Sequence, residues 1–107
     1  MRYSDDTKPI EHNELPIRRK LGECVTFKAK HYYPILAGSS VVWRKYAFAL
    51  RSENFTYLTD DNKTLLITAV TGQDSALYSI ELNVKIPNKA KSGKEITRYW
   101  LTVQGMA

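Results

Sequence analysis

Apolar and polar positions alternate with period two through most of the chain, the signature of half-buried β-strands. Residues 23–30 put Val25, Phe27 and Ala29 on one face and Cys24, Thr26, Lys28 and Lys30 on the other, which makes Cys24 a solvent-side thiol. Tyr78, Ile80 and Leu82 alternate in the same way with Ser79, Glu81 and Asn83. A closing strand turns Tyr99, Leu101 and Val103 inward and Arg98 and Trp100 outward. Shorter strands are predicted through Val41, Trp43 and Lys45, over Ala47–Leu50, over Phe55–Leu58, and over residues 63–69, which bury Leu65 and Ile67 with Val70 closing that end of the core. Edge strands are expected over Lys8–His12 and Leu15–Arg18, where Pro9 and Pro16 interrupt the ladder. No helical periodicity and no internal repeat is present, so many short strands joined by turns predict an all-β sandwich.

The sequence of 107 residues suits one domain, with a polar leader over 1–7, the domain over 8–104 and a tail over 105–107. Its 43% apolar content supports a core without a metal or staple, and its single cysteine excludes an internal disulfide. A lone thiol points toward a reducing compartment. The formal charge of +5 suits a mildly anionic partner but is a small surplus for a nucleic-acid binder. There is no apolar run long enough for a transmembrane helix, and Met1-Arg2-Tyr3-Ser4-Asp5-Asp6 is not a secretory signal.

Gly22, Val25, Phe27, Trp43, Leu65, Ile67, Val70, Asp74, Ala76 and Tyr78 occur in an order and spacing that resembles the immunoglobulin superfamily. The resemblance is to the intermediate-set domains of titin-like and myosin-binding sarcomeric proteins. It implies an immunoglobulin-like Greek-key sandwich of two antiparallel sheets. It also implies a buried Trp43, a corner Tyr78 whose hydroxyl bonds back to the backbone, and Asp74 as the turn carboxylate. Ala29 and Ile80 then stand where the superfamily carries its bridging cysteines, and Ala76 replaces a frequent glycine. The core signature is Val25, Phe27, Ala29, Trp43, Leu65, Ile67, Asp74, Tyr78 and Ile80.

Chemistry-bearing residues are sparse. His12 and His31 have no cysteine or carboxylate at metal-ligand spacing and read as surface histidines. Asp60-Asp61-Asn62 lacks the recurring ligands of a calcium loop and reads as an Asx-rich turn. Ser39, Ser40, Ser75 and Cys24 have no base and orienting partner nearby in sequence, so no enzyme, cofactor or small-molecule substrate is expected. Asn54-Phe55-Thr56 and Asn62-Lys63-Thr64 match the glycosylation pattern, which matters only in the secretory pathway.

Two surfaces are candidates for interaction. In the superfamily's topology the loop carrying Tyr32, Tyr33, Ile35 and Leu36 emerges at the same end as the basic hairpin of Lys89, Lys91 and Lys94. That end is either an aromatic patch with a cationic rim, or a cap in which Ile35 and Leu36 fold over the core while the lysines solvate it. The second surface is the outer face carrying Val42, Arg44, Glu81, Arg98 and Trp100, where Arg44 and Glu81 are placed to pair and an outward Trp100 calls for stacking by Arg98, cover from the long hairpin, or an interface. The expected function is a non-catalytic structural and protein-interaction module in a larger intracellular, titin-like chain, cytoplasmic, with a sarcomeric location implied by the resemblance. An extracellular adhesion or receptor domain without its bridge is the alternative. Nucleic acid and membrane partners are not expected.

Overall fold

The computed structural model describes residues 8–88 and 92–105. The expected leader over 1–7 and the last two residues of the expected tail lie outside that range. Among the described residues nine strands run in the order β1 (Ile10–Asn13), β2 (Ile17–Lys20), β3 (Val25–Lys28), β4 (Val42–Lys45), β5 (Phe48–Ala49), β6 (Thr56–Thr59), β7 (Thr64–Ile67), β8 (Ala76–Val84) and β9 (Gly93–Gln104). A 3-10 turn, Gly72–Asp74, precedes β8.

These strands form two sheets. The larger has the order β1-β9-β8-β4-β5 with β2 also on β9, and the smaller has the order β3-β7-β6. The sandwich agrees with the sequence reading, with one addition. Both N-terminal strands lie parallel to β9, Ile10 opposite Glu95 and Ile17 opposite Leu101, so the larger sheet is mixed. Each of these strands starts one residue after a proline rather than before it. Pro9 and Pro16 have no N–H for the ladder, which moves the starts of the expected edge strands two residues along the chain.

The core lies between the inner faces. Val25, Phe27, Trp43, Leu65, Ile67, Tyr78, Ile80, Leu82 and Leu101 are buried there, with Val70 and Ala76 closing one end. Phe27 stacks on Tyr99 at 4.6 Å between ring centroids and meets Tyr78 at 5.1 Å, so strands of opposite sheets are joined by aromatic contact. Ile80 is buried at the expected position, while Ala29 is half-buried against the core margin. Large and small groups thus stand where the resemblance implies sulfur. Among the described residues, the Trp43 indole Nε1 is the one buried side-chain polar atom without a partner.

Turn chemistry follows the residue types. Asp60, Asp61 and Asn62 all take left-handed backbone angles, with φ of 55°, 54° and 66°, which short polar side chains tolerate better than any other residue type with a Cβ. The turn between β4 and β5 uses Tyr46 at φ 57°, which trims the expected Ala47–Leu50 strand to two residues. Thr71 and Asp74 form a capping box around the 3-10 turn, and the Tyr78 hydroxyl donates to the Asp74 carbonyl at 2.5 Å, completing the tyrosine corner.

Packing of this kind makes Ile80 costly to truncate. Ile80→Ala is expected to lower unfolding free energy by about 2–5 kcal/mol in denaturant titration, whereas Thr26→Ala on the wet face of β3 should change it by no more than about 0.5 kcal/mol.

Candidate functional site

The seam between the sheets is held by side chains of β9. The Ala29 N–H donates to the Lys63 carbonyl at 2.9 Å, so odd-numbered residues of β3 address β7 and the even-numbered residues turn their backbone groups away from it. From Lys28 onward those groups meet β9 side chains at intervals of two residues. The Tyr99 hydroxyl donates to the Lys28 carbonyl at 2.8 Å and accepts from the Lys28 N–H at 3.3 Å. Thr97 repeats the pattern on Lys30, accepting at 2.9 Å and donating at 3.3 Å. Glu95 completes the series, its carboxylate accepting from the Tyr32 N–H at 2.8 and 2.9 Å and from the Tyr33 N–H at 2.9 Å. On the other side of this row the Arg19 guanidinium donates to the Cys24 carbonyl at 3.0 Å.

Glu95 is fully buried and is the charged end of this ladder. Burial alone raises a carboxyl pKa. Here hydrogen bonds from His12, Tyr33 and Tyr32 outweigh it and hold the Glu95 pKa below its ordinary value. His12 reaches the carboxylate through Nε2 at 2.7 Å, and its side chain is only 10% exposed. This corrects the surface-histidine reading: parallel pairing sets His12 beside Thr97 on the inner face, and Tyr32 lies over it at 5.0 Å between ring centroids. His31 remains exposed and holds the Tyr33 carbonyl at 2.7 Å. Burial also raises the Tyr99 pKa, with the Lys28 backbone bond opposing the shift.

The ladder bears on the loop end. Glu95 fixes the backbone of Tyr32 and Tyr33, Ile35 forms a bridge with Val84, and Tyr33 and Ile35 fold against the core. Leu36 is half-buried, its N–H donating to the Asn83 carbonyl at 2.7 Å. Only Tyr32 keeps a largely exposed ring, at 77%. Lys94 pairs with Glu81 at 3.0 Å, while Lys89 and Lys91 lie outside the described residues. Among the described residues, this end is therefore mainly a cap.

The outer face of the larger sheet differs. Trp100 and Tyr46 are 50% and 56% exposed and meet edge to face at 6.4 Å, with Leu77 between them in the cross-strand row. Arg98 does not stack on Trp100, since its guanidinium donates to Glu11 at 3.0 Å and to Asn13 at 3.3 Å. The expected Arg44–Glu81 pair is also absent: the register sets Arg44 opposite Ser79 and Glu81 opposite Val42, and Glu81 takes Lys94 instead.

The edges of β6 and β2 are largely closed as well as the seam. The outward backbone groups of Thr56 exchange bonds with Glu53 at 2.8 and 2.9 Å, and the Leu58 N–H donates to Ser52 at 2.9 Å. On β2, the Lys20 N–H and carbonyl are both taken by Glu23, and the Arg18 carbonyl by Arg19. Among the described residues no group of three or more His, Cys, Asp or Glu side chains is placed to hold a metal, and Cys24 is exposed.

Solved structures share this architecture. One chain of the titin M10–obscurin-like 1 immunoglobulin complex matches over 92% of both chains at 20% identity and a TM-score of 0.61. The fold is that of an immunoglobulin domain. Titin domains z1z2 in complex with telethonin match over 94% of this chain and 46% of that one, at 17% identity and a TM-score of 0.62. Sidekick-1 immunoglobulin domains 1–5 match over 91% and 19%, at 15% identity and 0.58. No protein-family model and no curated protein sequence matches. Within this fold the sheets are tied by a polar ladder at the seam and an apolar pair, Ala29 and Ile80, packs at the core.

Because the folded-state pKa of Glu95 is depressed, its contribution to stability is complete above the unfolded value of 4.5 and fades as pH falls below it through the folded-state value. Glu95→Gln should therefore lose less stability than the parent chain between neutral pH and pH values below about 4, measured by denaturant titration across the series. Glu95→Ala, which strands buried N–H donors, should cost about 2–5 kcal/mol at neutral pH.

Proposed function

We infer that the chain is a non-catalytic structural and protein-interaction module, one domain of a larger intracellular, titin-like protein. The observation that carries the structural half is the parallel pairing of β1 and β2 with β9. In that arrangement the chain enters beside the beginning of β9 and leaves at its end. Tension between the two ends acts along the strands and loads their shared hydrogen bonds together rather than one at a time. The self-sufficient core and the polar seam suit a compartment in which a disulfide would be reduced. Likeness in fold to titin domains supports the same reading. The interaction half rests on the exposed Trp100 and Tyr46, large aromatic groups of the kind that anchor protein interfaces.

Single-molecule stretching tests the load path. The Leu21 N–H donates to the Gln104 carbonyl at 3.0 Å, which places the N–H of Arg19 on the β9 side of β2. Arg19→Pro should lower the unfolding force far more than Tyr57→Pro, which removes an equivalent ladder bond from β6 outside that path. Equal loss of force in the two variants would place the load elsewhere. Recovery of the parent protein with glycan on Asn54 or Asn62 would move the reading to an extracellular domain.

A further inference from the structure

Three rows of side chains cross the outer face of the larger sheet near Trp100. The middle row is Tyr46, Leu77 and Trp100: Leu77 is the direct partner of Trp100, and the Tyr46 N–H donates to the Leu77 carbonyl at 2.8 Å. One row away, Arg44 stands opposite Ser79, which stands opposite Arg98. On the other side Arg18 stands opposite Thr102, two residues along β9 from Trp100. An apolar strip is therefore flanked by guanidinium groups on both sides. The Arg98 charge is engaged by Glu11, whereas Arg18 and Arg44 form no ion pair among the described residues.

Closed edges narrow the mode of binding. Both outward groups of Thr56 and the Leu58 N–H on β6, and both of Lys20 and the Arg18 carbonyl on β2, are bonded within the chain, those of Lys28 and Lys30 are taken by Tyr99 and Thr97, and β5 is two residues long. At these edges a partner strand finds few free donors and acceptors, so a face contact is favoured there over strand addition. The charge pattern narrows the partner. Glu11 and Glu81 are interspersed among the cations of this face, where they would repel the continuous phosphates of a nucleic acid. A second copy would oppose Arg18 and Arg44 to themselves across a two-fold interface.

We propose that the Tyr46-Leu77-Trp100 strip docks an acidic protein segment, an apolar side chain lying on Trp100 and flanking carboxylates meeting Arg44 and Arg18. This deepens the interaction-module reading and rests on it. Trp100 and Tyr46 supply buried contact area, and the two arginines supply bidentate carboxylate recognition.

The test titrates the 107-residue chain with a short peptide carrying one leucine flanked by glutamates, with its glutamine counterpart, and with single-stranded oligothymidylate. Backbone amide NMR shifts should concentrate around Arg44, Leu77 and Trp100 with the acidic peptide. Arg44→Glu and Trp100→Ala should each weaken it by roughly tenfold or more, while Lys28→Glu on the other sheet leaves it unchanged. Circular dichroism of each variant verifies folding. Equal binding of the glutamine peptide, tighter binding of oligothymidylate to the same face, shifts confined to strand edges, self-association abolished by Arg44→Glu, or no binding of the acidic peptide would each overturn the proposal. Capture from the native tissue separates the two levels: a partner retained equally by parent chain and both face variants overturns only this inference, and no partner retained by the folded parent chain overturns the interaction reading itself.

Discussion

The backbone of β3 and the loop after it must be satisfied on the side that no strand covers, and β9 does this with side chains. Both N-terminal strands are committed to β9, so neither is available to pair with β3. A row of exposed amides and carbonyls would otherwise lie at the boundary of the core, each costing free energy wherever water is excluded. Glu95, Thr97 and Tyr99 supply partners at two-residue intervals that match the repeat of the strand they serve. Residues of one face of β9 thereby bind its own sheet to the opposite one.

Much of the architecture was legible because apolar alternation is strong where strands are long. Val25 and Phe27, Trp43, Leu65 and Ile67, and the Tyr78-Ile80-Leu82 run all fall inside as the pattern predicts. The corner tyrosine and the Asx-rich turn were legible for a different reason, since each depends on local residue chemistry alone. Glu95 was not, because a carboxylate between lysines reads as a solvated hairpin charge. Its parity with Tyr99 and Leu101 was the available signal: Glu95 and Thr97 share the face already assigned inward. His12 was hidden for a related reason. Only the parallel register with β9, a non-local fact, turns it toward the carboxylate. The expected Arg44–Glu81 pair failed similarly: the β4–β8 register sets Glu81 opposite Val42, and its carboxylate takes the Lys94 ammonium from β9 on its other side.

A disulfide and a polar ladder tie sheets together in different ways. The bridge restricts the unfolded chain, whereas the ladder acts only on the folded one and depends on burial to keep its bonds from exchanging with water. Ile80 and Ala29 contribute volume at the bridge positions, and the Phe27, Tyr78 and Tyr99 rings join the layers nearby. The aromatic contacts and the ladder share Tyr99, so packing and polar satisfaction at the seam are coupled through one side chain.

Closure of the edges by Glu53, Ser52 and Glu23 has a meaning beyond the single domain. Domains tethered in series meet their neighbours at effective concentrations set by the linker, in the millimolar range for short flexible ones. Similar sandwiches held that closely are prone to exchange strands and misassemble while any one of them is partly open. Backbone groups already bonded within their own domain offer a neighbour no template, so crowding along a common thread need not become entanglement.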